Sequence, residues 1–118
     1  MRVFEADGKI NFVDEQNVVV GFSNERSCCE RFGWGLSDPG APALPAEEPD
    51  GRDFPGWMFD PTYFKKGVPA NYDGWYVIFR LVNGDQERFL SLYNHHNGYY
   101  SHGFEMSVGG VVAQRGAI

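Results

Sequence analysis

Three histidines stand close together late in the chain, within the run NHHNGYYSHG at residues 94–103, and two adjacent cysteines, Cys28 and Cys29, precede Glu30. Imidazole, thiolate and carboxylate are the side chains that hold zinc, which takes three or four of them tetrahedrally. A thiol beside an imidazole is also the pair that yields a nucleophilic thiolate. Asn97-Gly98 is the strongest short hairpin signal, a two-residue type I′ turn. Such a turn predicts Tyr93 opposite His102, His95 opposite Tyr100, Ser91 opposite Phe104 and Phe89 opposite Met106. Side chains alternate along a strand, so His95 and His102 fall on one face as diagonal neighbours about 7–8 Å apart. His96 points the other way, and the adjacent histidine pair is not a chelating pair. His95, His102 and Cys28 or Cys29 would make three ligands, with Glu30 as a fourth or as a general base. No Cys-x-x-Cys or His-Glu-x-x-His spacing supports that set, so no metal and no cofactor is assigned. Adjacent cysteines on a strand point to opposite faces, so at most one enters a given site, and buried free cysteines usually pack as small hydrophobes. No carboxylates pair by spacing. The Gly33–Gly35 and Gly109-Gly110 glycines lack the strand–loop–helix context of a phosphate loop.

The elements that must position these residues read mostly as strands. Residues 10–13 and 18–22 flank the polar connection DEQN, which places Val13 opposite Val18 and Phe12 opposite Val19; a strand at residues 2–6 is set off by Asp7-Gly8. Residues 23–38 read equally as a short helix or an irregular strand, because Gly33 and Gly35 would end any helix within two turns. Residues 38–53 hold four of the seven prolines without periodicity, a loop longer than most in compact domains. Trp57, Phe59, Tyr63 and Phe64 then return to the core, through one helical turn begun by Asp60-Pro61. From Trp75 onward, strand-like runs are punctuated by Asn83-Gly84, Asn97-Gly98 and Gly109-Gly110. A turn at Asn83-Gly84 sets Arg80 opposite Glu87, an ion pair, and Ile78 opposite Phe89. Trp75, Val77, Phe79, Leu81, Leu90 and Leu92 then form the core face. The reverse face mixes Tyr76, Arg80, Ser91, Tyr93 and Tyr100 with Ile78, Phe89 and Phe104, which suits a binding surface.

A chain of 118 residues with 42% hydrophobic and 16% aromatic content folds as one domain, residues 1–118, without disulfide or metal staples. The predicted class is mostly β, α+β at most: a single-domain antiparallel sheet with hairpins, little helix and one long Pro-rich loop at 38–53. The net charge of −6 disfavours duplex nucleic acid, which needs a basic footprint. Residues 1–12 contain no apolar signal-peptide core, and no run reaches the roughly 18 apolar residues of a membrane span. Neighbouring Cα atoms lie about 3.8 Å apart, below the disulfide range of about 4.4–6.8 Å. Cys28 and Cys29 therefore read as free thiols of a reducing, cytoplasmic location.

Cys28, Cys29, Glu30, Gly33 and Trp34 spell Cys-Cys-Glu-x-x-Gly-Trp, and residues 97–103 spell Asn-Gly-Tyr-Tyr-x-His-Gly. In these two motifs the chain resembles a family of small uncharacterised bacterial and phage proteins. It is also similar to a broader family known only as a domain of unknown function. The resemblance implies carriage on mobile DNA and brings no activity with it. The reading that follows is a non-enzymatic accessory module binding a small ligand or a protein, with no duplex nucleic acid and no membrane. Its site is expected where Tyr93, His95, Tyr100 and His102 meet Cys28, Cys29, Glu30 and Trp34. A small metal- or Cys/His-dependent enzyme at the same place is the second reading. An acidic inhibitor of a host or phage protein is the third.

Overall fold

The computed structural model describes residues 1–25, 32–37, 54–67, 75–94 and 101–118. Nine strands run through them: β1 (Arg2–Ala6), β2 (Lys9–Val13), β3 (Val18–Ser23), β4 (Phe32–Ser37), β5 (Met58–Gly67), β6 (Trp75–Asn83), β7 (Gln86–Asn94), β8 (Gly103–Val108) and β9 (Val111–Ala117). They form two antiparallel sheets, a five-stranded one ordered β1-β2-β3-β8-β9 and a four-stranded one ordered β4-β7-β6-β5. Among the described residues there is no helix. The predicted mostly-β, antiparallel class is what the chain adopts.

The two sheets pack face to face around one core. Phe12, Val20, Phe22, Phe104 and Met106 project from the five-stranded sheet, and Trp34, Phe59, Val77, Phe79, Leu81, Leu90 and Leu92 from the other; all are buried. Each is worth about 1.5–3 kcal/mol when fully buried. Trp34 meets Phe12 edge-on across the interface, with ring centroids 4.9 Å apart. The expected core face of β6 and β7 is therefore correct for Val77, Phe79, Leu81, Leu90 and Leu92. Trp75 departs from it. It pairs with Asn94 on the last rung of the β6–β7 ladder, where the apolar stripe runs past the core, and it is 46% exposed.

Three expectations about pairing are overturned. The hairpin expected between residues 89–95 and 100–106 does not pair β7 with β8: both edges of β7 are taken by β4 and β6, and both edges of β8 by β3 and β9, while residues 95–100 lie outside the described residues. Ser91 lies opposite Gly35 and Ile78, and Phe104 opposite Phe22. The sheet expected from Trp75 onward is thus split between the two layers, because a local turn signal does not distinguish a hairpin from a crossing between sheets. The β6–β7 turn sits on Gly84-Asp85, with Gly84 at φ 59°, so Arg80 pairs with Phe89 and Asn83 with Gln86. That two-residue offset preserves which side chains share a face. The β2–β3 connection is shorter than expected. Asp14 N donates to Val18 O at 3.1 Å, and Asn17 takes the left-handed position at φ 61°, as in a three-residue hairpin loop. Phe12 consequently pairs with Val20, not Val19.

Two segments resolve as strands. Phe32–Ser37 is β4, a strand running through Gly33 and Gly35, while residues 26–31 of that segment lie outside the described residues, and Asp60-Pro61 begins a bulge, not a helical turn. The β5–β6 register shifts between Asp60 and Phe64. Asp60 Oδ1 accepts from Thr62 N at 3.0 Å and from Thr62 Oγ1 at 2.6 Å, which closes the bulge. Pro61 is tolerated because β5 is an edge strand.

Candidate functional site

Of the residues singled out by type and spacing, Trp34, Tyr93 and His102 lie in the described structure; Cys28, Cys29, Glu30, His95 and Tyr100 lie outside the described residues. His102 is 2% exposed. Its Nδ1 lies 2.8 Å from Ser23 O; a carbonyl only accepts, so Nδ1 carries the proton. Its ring stacks on Phe32 at 3.9 Å between centroids. Its backbone exchanges two hydrogen bonds with Ile118, at 2.7 and 2.9 Å. These contacts make His102 a packed residue at the seam between the sheets. Trp34, 2% exposed, belongs to the core. Tyr93 stands opposite Gly33 and Tyr76, on the outward face of the four-stranded sheet, instead of opposite His102. Among the described residues, no group of three or more His, Cys, Asp or Glu side chains could hold a metal ion.

The outward face of the four-stranded sheet gathers the chemistry instead. Its rungs read Gly33–Tyr93–Tyr76–Gly67, Gly35–Ser91–Ile78–Lys65 and Ser37–Phe89–Arg80–Asp60. On the first rung each tyrosine lies over a glycine. A Cβ on Gly33 would stand 2.9 Å from Tyr93 Oη, and one on Gly67 2.6 Å from Tyr76 Oη. The missing side chains make room for the rings, as when an aromatic covers a sheet glycine.

The third rung carries charge beside aromatic surface. Arg80 donates from Nη1 to Asp60 Oδ2 at 2.9 Å and from Nε to Glu87 Oε2 at 2.7 Å. The foreseen Arg80–Glu87 ion pair forms, but diagonally, since Glu87 stands opposite Val82. The Thr62 hydroxyl and then the Thr62 amide hold the Asp60 carboxyl below its ordinary value against desolvation by burial, with a lesser contribution from Arg80. Glu87 and then Asp60 raise the Arg80 guanidinium. Tyr63, expected in the core, lies instead on this outward face, its ring centroid 5.5 Å from that of Phe89. The sequence offered a signal for Arg80 and Glu87 in their opposite charges. Alternation along β7 already put Phe89 on this face, and Asp60 stands opposite Arg80 in the β5–β6 ladder; Thr62 and Tyr63 join them through the bulge, which no local pattern announces.

This arrangement contains no nucleophile–base pair. Its acid and base groups are locked to one another, and it offers part-buried rings flanked by oriented hydrogen-bonding groups. No protein-family model, curated protein or solved structure matches the chain. Among the described residues, no helix is long and apolar enough to cross a membrane.

Proposed function

We propose that this protein is a non-enzymatic binding module, an accessory protein carried on mobile DNA, that takes its small ligand or protein partner on the outward face of the four-stranded sheet. The observation carrying this reading is the rung Ser37–Phe89–Arg80–Asp60 with Tyr63 beside it: aromatic surface next to an ordered polar network. Binding sites combine mostly apolar lining with a few fixed polar groups in this way. Reading the adjacent Cys28 and Cys29 as free thiols supports a cytoplasmic place of action. The test compares immobilised wild-type protein with Arg80→Ala and Phe89→Ala variants in cell extract, with retained molecules quantified by mass spectrometry. The expected result is a species held by the wild type and lost from both folded variants. Identical retention by all three would contradict the reading.

A metal- or Cys/His-dependent enzyme is a second reading, supported by one observation. Residues neighbouring Cys28–Glu30 and His95 in the chain meet at His102, namely Ser23 through its carbonyl and Phe32 through its ring; Asn94 also donates to the Ile118 carbonyl there. Elemental analysis of untagged protein purified without chelator separates the two readings. Stoichiometric metal lost in a His102→Ala variant would favour the enzyme.

A further inference from the structure

The chemistry of the Asp60–Arg80–Glu87 rung narrows the class of ligand. Asp60, Arg80 and Glu87 are part-exposed, with side-chain exposures of 22%, 33% and 35%. Surface ion pairs contribute little to stability, so stability alone is a weak reason to order three charged groups beside two aromatic rings. The network is pre-ordered: Thr62 and Arg80 fix Asp60, and two carboxylates fix Arg80. Groups already immobilised cost less to order when a ligand arrives.

Two carboxylates against one guanidinium leave this cluster one unit negative, on a chain of net charge −6. Phosphate and carboxylate ligands are therefore repelled. They also find no guanidinium fork, because bidentate recognition needs two adjacent N–H groups and Arg80 already spends Nε and Nη1 on separate carboxylates. A cation is poorly served, since Arg80 already neutralises much of the carboxylate charge. What remains is neutral hydrogen-bonding capacity: Arg80 Nη2, Glu87 Oε1 and Tyr63 Oη have no partner among the described residues. Donors and acceptors thus alternate beside an aromatic pair.

We propose that Tyr63 and Phe89, with Arg80 and Glu87 at their side, form a subsite for a neutral carbohydrate. One face of a sugar ring presents C–H groups, which pack on aromatic surface, while its rim presents hydroxyls that both donate and accept. Glu87 Oε1 accepts from one hydroxyl, Arg80 Nη2 donates to a neighbouring one, and the aromatic pair supports the apolar face. This assignment rests on the sheet face being the binding surface, and it adds the ligand class.

The test is native electrophoresis of the full chain through gels containing hydroxyethylcellulose, xylan, galactomannan, laminarin or dextran, with alginate and heparin as anionic controls. The expected result is retardation by at least one neutral polysaccharide and by neither anionic one. Tyr63→Ala and Glu87→Gln should each weaken the retarding interaction about tenfold or more, as loss of an anchoring contact does, while Tyr63→Phe should retain most of it. If Tyr63→Ala fails to fold, the part-exposed Glu87→Gln variant carries the test. No retardation by any neutral polysaccharide, or retardation unchanged in folded Glu87→Gln, overturns the carbohydrate assignment. Face-dependent retention of some other species in extract would then leave the module reading standing, and failure of both experiments would remove both.

Discussion

Asp14 joins the two sheets at a single carboxylate. Its Oδ1 accepts from Gln16 N and Val18 N at 2.9 Å each, and its Oδ2 accepts from Phe59 N in the facing sheet at 2.9 Å. The residue is 6% exposed, so truncating it strands buried amides of β3 and β5. Asp14→Ala is expected to cost about 2–4 kcal/mol, on the basis of one to three for each buried group left unsatisfied. Urea denaturation measures this, and an unchanged midpoint would contradict the clamp. In the sequence Asp14 is simply the first residue of a polar loop; its reach to Phe59 depends on a partner 45 residues away. Asp60 gives a pH signature. Its folded carboxyl lies below the ordinary value of 3.8, so as pH falls the unfolded chain takes the proton first. The stabilisation is complete above that ordinary value and is lost as pH drops through the depressed folded one. Stability curves of wild type and Asp60→Asn should therefore draw together as pH falls through the ordinary carboxylate range and below it. A difference that is constant across that window would rule out Asp60 as the titrating group.

Turns decide register at the level of elements, and they explain where the sequence was legible. Asp7-Gly8 and Gly109-Gly110 close hairpins with both residues at positive φ, as their sequences suggested. The loops after Val13 and Asn83 are offset because the left-handed positions fall on Asn17 and Gly84. Asn17 tolerates that conformation and β-branched residues do not. Asn17→Val should cost about 1–2 kcal/mol, the penalty for an ordinary L-residue in the left-handed region, whereas Asn17→Gly should be neutral or stabilising. Thermal melts of the two variants distinguish this from a side-chain role, in which both would destabilise equally. Period-two alternation revealed the faces of β6 and β7, including the placement of Tyr76, Arg80, Ser91 and Tyr93 together. It did not reveal that the chain crosses between layers from β7 to β8, which parts Tyr93 from His102. Alternation specifies a buried face but not the strand that pairs beside it.

At the scale of the whole molecule, a sandwich of two sheets buries the inner face of each; on the outward side of the four-stranded sheet Ile78 and Ser91 of the middle rung are buried too, at 2% and 0% exposure, and the part-exposed groups there are those around Phe89, Arg80 and Asp60. On the five-stranded sheet the outward rungs run Arg2–Val13–Val19–Ser107–Val112 and Phe4–Asn11–Gly21–Glu105–Arg115. That face presents Phe4 and Val112, 39% and 43% exposed, and the Arg115–Glu105 ion pair, where the other face has an aromatic pair beside a network of three charged groups. Binding on the four-stranded face is tested directly by NMR shift mapping of the isotope-labelled chain, which discriminates between the two faces. Titration with the retained species, or with the retarding polysaccharide's oligosaccharides, should perturb Thr62, Tyr63, Arg80, Glu87 and Phe89. Perturbations centred on Phe4, Val19 and Val112, with the β5–β7 residues unmoved, would contradict it.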